Sequence, residues 1–346
     1  MSHKKPQITS GDVNWPQVLA RFISNDSLQL SSDGKPTKRR GPCPICGGKD
    51  RFLFDNKNND GMWFCNGCKG GNGFTLLRKA AKMSDAEIFA AINGTVFDKP
   101  APRLSPAAAK EADEKVLSVR RCNLKHTWEA AQPLTHHNAA GRYLMKRVPG
   151  LDLAKLGCML RFHAGMNYWS DFGKVDGGRH PVLLAKVKDA ACEPVTLHRT
   201  YLSQDAGKAA VESPKKLMSG VRKLNGASIR LNKSESRVLA ITEGIETGLA
   251  VLAAHDYQIT VWSLVFANNL AVADIPAGRF DRVVIYADHD KLDPVHGYRP
   301  GEQNATLLLA KLQAMGIEAE IVLPPVEGED FADMWANGDK FQLATK

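Results

Sequence analysis

The spacing of apolar positions changes character along this chain. From Asn14 to Ile23 it is helical, with Val18, Leu19, Phe22 and Ile23 on one face and Pro16 in the first turn. A polar, basic loop spans Ser31 to Arg40. From Gly41 to Phe74 the sequence is dense in Cys, Gly and aromatic residues, and Arg51–Phe54 and Met62–Phe64 read as short strands. Thr75–Lys82 is helical. Ser84, with Glu87 three residues on, predicts a capping box for a helix running to Ile92. The Pro/Ala-rich stretch 98–112 reads as a linker. A helix-rich stretch containing Trp128, His136 and Tyr143 then runs to Arg147, followed by strand candidates Pro181–Val187 and Val195–Tyr201 whose topology the pattern does not give.

From Arg237 onward the pattern becomes regular. Val238–Thr242, Ile259–Ser263, Val283–Ala287 and Ala319–Leu323 are short apolar strands, and Glu243–Ala254 and Glu302–Met315 are helical. Unbroken apolar strands alternating with helices predict a mainly parallel sheet covered on both faces.

A chain of 346 residues is too long for one ordinary core, so two or three domains are expected. No apolar run is long enough to span a membrane, and the polar, basic start lacks the apolar core of a signal peptide, so the expected location is the cytoplasm. The net charge of +9 is unevenly spread: +6 over residues 1–100, +11 over 101–230 and −8 over 231–346. A basic front and an acidic back suggest a polyanion-binding part followed by a carboxylate-rich one.

Four of the seven cysteines form two close pairs, Cys43-Pro-Ile-Cys46 and Cys65-Asn-Gly-Cys68, separated by 18 residues. Two residues within each pair let both thiolates reach one ion, and Gly47, Gly48 and Gly67 permit the tight knuckle turns. Four thiolates close the coordination shell, so this Zn2+ site is expected to be structural. Nearby, Lys38, Arg39, Arg40, Lys49 and Arg51 could meet phosphates. Phe52, Phe54 and Trp63 are expected to serve the ribbon's own core rather than stack on bases.

In the acidic third, a strand runs into Glu243-Gly244 and another into Asp288-His289-Asp290. Ligands bind beyond the carboxyl ends of parallel strands, so Glu243, Asp288 and Asp290 are expected to converge. Oxygen ligands of this kind favour Mg2+, with Mn2+ able to substitute, and such a site suits phosphoryl transfer. Asp330, in Glu329-Asp-Phe-Ala-Asp333, could supply a further ligand.

The order Glu-Gly, Asp-x-Asp and acidic tail resembles the Toprim domain of bacterial primases, topoisomerases and some nucleases. With Cys43 to Phe52, Trp63-Phe-Cys65, Leu197 to Leu202 and Pro214-Lys-Lys216, the chain resembles the alpha-type primases of satellite phages and related mobile elements. The resemblance implies an α/β protein: a zinc ribbon with flanking helices (1–97), a linker (98–112), a basic mixed α/β region (113–233) and a Toprim catalytic domain (234–346). It implies Glu243 as general base or metal ligand, with Asp288 and Asp290 as the magnesium-binding pair. Where many bacterial primases have an aspartate four residues after the glutamate, this chain has Thr247, beside Glu246. His198, Arg199, Lys215, Lys216, Arg222 and Lys223 could line a channel for template or nucleoside triphosphate. The expected partners are single-stranded DNA and nucleoside triphosphates. No helicase domain follows within these residues, so a separate replicative helicase could recruit the protein. A Toprim nuclease and a non-catalytic, primase-derived DNA-binding protein are the alternatives.

Overall fold

The computed structural model describes residues 13–93, 106–169, 175–292, 298–339 and 341. The chain divides into two compact units, 1–112 with 169–176, and 113–168 with 177–346. Among the described residues, no helix is long and apolar enough to cross a membrane.

In the first unit, α1 (Trp15–Leu19) is capped by the Asn14 side chain, which accepts from the Gln17 N–H. The helix is shorter than its pattern. Ser24 opens a second short helix, α2 (Asn25–Leu28), so the chain turns at once and Phe22 is left exposed. Four strands follow, β1 (Arg40–Gly41), β2 (Phe52–Phe54), β3 (Trp63–Cys65) and β4 (Lys69–Gly71), antiparallel in that order. Then come α3 (Gly73–Ala80) and α4 (Asp85–Asn93). The capping box is formed: Ser84 N–H donates to Glu87 Oε2 at 2.8 Å and Glu87 N–H to Ser84 Oγ at 3.4 Å. Trp15, Leu19, Phe52, Phe54, Trp63, Leu76 and Ile88 share one core.

The proposed linker 98–112 lies outside the described residues as far as 105. From Pro106 it is helix, the start of α5 (Pro106–Glu129), because proline at a first helical position gives up an N–H that has no intrahelical partner anyway. In the second unit α6 (Ala139–Arg147) precedes a sheet ordered β5 (Leu160–Trp169), β6 (Val175–Lys188), β7 (Pro194–Tyr201) and β8 (Lys215–Leu217). Strand alternation gives that sheet two different faces. Leu183, Ala185 and Val187 join the core built on α7, whereas Val182, Leu184 and Tyr201 pack with Trp128 of α5.

The last part reads β9 (Ile229–Arg230), β10 (Val238–Thr242), α7 (Ile245–Ala254), β11 (Thr260–Ser263), α8 (Ala267–Leu270), β12 (Arg282–Tyr286), α9 (Pro300–Ala314), β13 (Glu318–Val322) and α10 (Phe331–Asn337). Its sheet order is β13-β12-β10-β11-β9, parallel except for β9, which pairs antiparallel at the edge. Leu239, Ile241, Val283 and Ile285 face the layer containing α9, and Ala240, Val284 and Tyr286 face α7 and α10, so the sheet is buried on both sides. One core thus runs from the middle sheet into this domain. β9, from the segment before residue 234, belongs to the later sheet, so a boundary at 233/234 cuts through shared packing.

Candidate active site and metal centres

The four cysteines lie with all ligating atoms within 4.8 Å of one another. Cys43 and Cys68 Sγ are 3.9 Å apart, and Cys46 and Cys65 Sγ 3.8 Å. A tetrahedron with zinc–sulfur bonds of about 2.3 Å has edges of about 3.8 Å, so the thiols already have the geometry the ion needs. The knuckle is held by Gly47 N–H to Cys43 O at 2.9 Å and Cys43 N–H to Gly48 O at 2.8 Å. Gly47 takes a left-handed φ of 75°, and Lys69 occupies the equivalent place after Cys68 with φ 67°. Burial pushes the Cys43 and Cys68 thiols up. At Cys46 burial is outweighed by the Gly48 N–H and the neighbouring sulfurs, which bring it down to about 7. Such a set is stable as thiolates only around a cation.

Phe52, Phe54 and Trp63 are buried in the ribbon core, as expected. The ring that faces outward is Phe64, with the Arg40 guanidinium 5.9 Å from its centroid. The alternation of β3 carried that signal, since burying Trp63 and Cys65 turns Phe64 out. Arg40 also donates to Arg51 O and Asn66 Oδ1, and Lys38 sits 3.7 Å from Asp55. Arg39 is exposed.

The second cluster stands at the carboxyl ends of two adjacent parallel strands. Thr242 of β10 is paired with Tyr286 of β12, so Glu243 and Asp288 leave the sheet side by side. Asp288, Asp290 and Asp330 line a cleft of about 330 Å³ together with Lys291 and Gly328. His289, between the two aspartates, is hydrogen-bonded to Pro324 O at 2.9 Å. Asp290 Oδ2 accepts from Gly301 N–H at 2.8 Å, at the start of α9. The Glu243 carboxyl is pushed up by burial and by the Asp290 charge, with the Ala267 N–H and Lys215 partly offsetting this. Burial, then Glu243, Asp330 and Asp290, raise Asp288 to about 7. Asp288 Oδ1 is buried and accepts no hydrogen bond from the described residues. The Asp290 charge thus bears on both Glu243 and Asp288, and that of Glu243 on Asp288. They do not form a set with oxygens all within 4.8 Å, which among the described residues the cysteines alone do. An acceptor buried without a donor amid like charges fits a hard divalent cation, for which Glu243, Asp288 and Asp290 would be the oxygen ligands.

The remaining expected residues separate. Asp330 caps α10, accepting from Asp333 N–H at 2.8 Å, and is paired with Arg147 at 3.1 Å, so its oxygens are already engaged. Lys215 faces the acids. Its ammonium is 3.0 Å from Glu246 Oε2 and lowers the pKa of Glu243, Asp288 and Glu246. Glu246 is 4% exposed and also accepts from Tyr143 Oη at 2.6 Å. Burial opposes its ionisation, yet Lys215, Tyr143 and Lys208 hold it down at about 2. Glu246 therefore anchors Lys215.

His198 is buried on the same sheet face, and desolvation and Lys215 lower its pKa to about 4. Arg199 and Lys216 pair across β7 and β8 and point to the opposite face, where they lie over Tyr201 and Tyr168. Arg222 pairs with Asp189 and Glu193, and Lys223 is exposed. These basic residues do not form a single channel. Tyr143, Arg147 and Lys208, which the sequence did not single out, are brought to the acids by tertiary packing alone, and no local motif marks them.

Three segments match known domains. Residues 38–74 match the zinc-binding domain of primase-helicase, 118–231 a domain of unknown function (DUF7146), and 238–340 the Toprim domain. Among solved structures, the primase fragment of the bacteriophage T7 primase-helicase aligns at 15% identity over 87% of this chain and 95% of its own, with a TM-score of 0.37. The RNA polymerase domain of Mycobacterium tuberculosis primase DnaG aligns at 15% identity over 64% and 78%, TM-score 0.37. A DnaG primase catalytic domain bound to single-stranded DNA aligns at 12% identity over 66% and 79%, TM-score 0.40. At these scores no residue-by-residue correspondence follows, and the assignment rests on the matched domains. The acid-bearing segment 238–340 is a Toprim domain. The chain therefore combines a match to a Toprim domain with a match to the zinc-binding domain of primase-helicase.

Proposed function

We propose that this protein is a DNA primase that makes short primers on single-stranded DNA by Mg2+-dependent nucleotidyl transfer. The observation that carries the reading is the placement of Glu243 and Asp288 at the ends of adjacent parallel strands, with Asp288 Oδ1 buried and unpartnered. Bound there, a divalent cation would neutralise triphosphate oxygens and charge developing on the leaving group. Glu243 would either ligate that cation or take the proton of an attacking 3′-hydroxyl. Asp290, fixed by the Gly301 N–H, holds the loop in place, and Lys215 presents a positive charge to a phosphate entering beside the acids. The zinc ribbon, with Arg39, Arg40 and exposed Phe64, offers contacts for the template strand.

The test is to incubate the protein with single-stranded DNA, labelled ribonucleotides and Mg2+. Short RNA products support primase, shortened DNA supports a Toprim nuclease, and binding without turnover supports an accessory protein. Glu243→Gln should retain the fold and lose about 100-fold or more in primer synthesis. Undiminished synthesis in that variant would remove Glu243 from the mechanism.

A further inference from the structure

The middle sheet carries a second site on its other face. A pocket of about 510 Å³ lies between α5 and strands β6 and β7, within the segment that matches a domain of unknown function. Its walls are apolar, supplied by Leu124, Trp128, Leu197 and Val221. The cations around it are unequal. Arg121 is paired with Glu114, Lys125 with Glu129, and Arg222 with Asp189 and Glu193. Lys186 has no carboxylate oxygen within 4 Å among the described residues. Its ammonium sits 4.2 Å from the centre of the Trp128 ring, which the Arg161 guanidinium also approaches at 4.7 Å. Burial, then the charges of Lys188 and Arg161, lower its pKa.

An ammonium held at an apolar pocket beside other cations, without a counter-ion, is stabilised by an anion that also fills the pocket. Pockets of this size and polarity take ligands the size of a nucleotide. The cations already on Trp128 make that ring a platform for the ammonium, which leaves Leu124, Leu197 and Val221 to pack against a base.

We propose that this pocket binds a nucleobase together with its phosphate, the base against the apolar walls and the phosphate on Lys186. It is distinct from the Toprim acids, which share the opposite face of the sheet with Lys215. The choice of a nucleotide rather than another planar anion rests on the primase reading above. The same chemistry could come from a free nucleotide or from a nucleotide within a strand.

Photo-crosslinking with mass-spectrometric mapping tests the site without requiring turnover. The zinc-loaded full chain is irradiated with 8-azido-ATP, and separately with an oligonucleotide carrying 5-iodouracil, with unlabelled ATP or oligonucleotide as competitor. Adducts are expected on peptides covering 121–129 or 186–197. Lys186→Met, which keeps the apolar stem, should weaken them about tenfold. Leu124→Trp, which fills the pocket, should abolish them, and if that variant fails to fold Lys186→Met decides alone. Competition by ATP identifies a free nucleotide as the source, and competition by oligonucleotide alone identifies a strand. Adducts confined to residues 238–340, or labelling unchanged in Lys186→Met, overturn the proposal. Loss of primer synthesis alone leaves these adducts in place, so failure of the primase reading is distinguishable.

Discussion

The buried contact between Tyr143 and Glu246 allows a sharp test of how the site is held. Tyr143→Phe removes one hydroxyl from a residue 2% exposed and keeps the ring in its core. The bond is 2.6 Å long and its acceptor is ionised, which puts it among the stronger hydrogen bonds, about 1.5–3 kcal/mol. Because both partners are buried, solvent screening does not reduce this much. In a Glu246→Gln background the same change removes an ordinary neutral bond of about 1 kcal/mol. A double-mutant cycle should therefore give a coupling of about 0.5–2 kcal/mol at pH 7. A chain of two compact units need not unfold in one two-state step, so the readout is hydrogen exchange of peptides from α7 across a urea series, corrected for intrinsic rates. The Glu246 carboxyl is depressed from 4.5 to about 2 in the folded protein. Its stabilisation is thus complete above about pH 4.5 and is lost as the pH falls toward 2. A coupling below about 0.5 kcal/mol, or one that fades between pH 8 and about 5.5, would refute the view of Glu246 as an ionised anchor.

Removing zinc by chelation, or replacing Cys43 and Cys46 by serine, should strip exchange protection from β1–β4 and leave the peptides of 238–340 unchanged, since metal binding of this kind contributes about 10 kcal/mol to folding; retained protection in the ribbon would contradict a structural ion. Gly301→Ala places a Cβ 2.9 Å from both Asp288 O and Asp290 Oδ2, so Mg2+ affinity by calorimetry should fall about tenfold, and unchanged affinity would detach this loop from the metal. Asp288, raised to about 7, makes metal-free folding lose stability as the pH rises from about 4 through about 7, and Mg2+ binding near neutral pH should release protons, measured in buffers of different ionisation enthalpy. Affinity that did not rise toward pH 7 would contradict this. Lys216→Glu alone should weaken single-stranded DNA binding and lower its salt slope by about 1, and an unaltered slope would remove Lys216 from the interface.

How far the sequence foretold this structure depended on where each residue's partners lie. Strands β10 and β12 were legible because a parallel sheet buries both faces, which leaves unbroken apolar runs such as Val-Leu-Ala-Ile-Thr and Arg-Val-Val-Ile-Tyr. The acids were legible because they sit where those runs stop. β8 and β9 were not, since Lys215-Lys-Leu217 and Ile229-Arg230 are edge pieces of two or three residues whose pairing comes from the neighbouring strand. The start of α5 was hidden by composition, because Pro and Ala after residue 98 read as a linker until the chain is followed into the helix. Tyr143 and Arg147 reach Glu246 and Asp330 across about a hundred residues or more of sequence, and no local pattern encodes that.

The basic residues before the Toprim domain show what spacing alone leaves open. Lys215 and Lys216 are adjacent in sequence, but a strand turns successive side chains to opposite faces. Lys215 lands beside Glu246, Glu243 and Asp288, while Lys216 lands over Tyr168 on the face shared with Arg199. Reversing both charges together would set a new carboxylate among the buried acids, and any loss of DNA binding would be confounded by damage to the acid-bearing end of the sheet. Reversing Lys216 alone leaves the Lys215–Glu246 pair intact, so a change in salt dependence can be traced to phosphate contact on the outer face. The register of β7 against β8 thus decides which lysine reports on nucleic acid and which holds the acids in place.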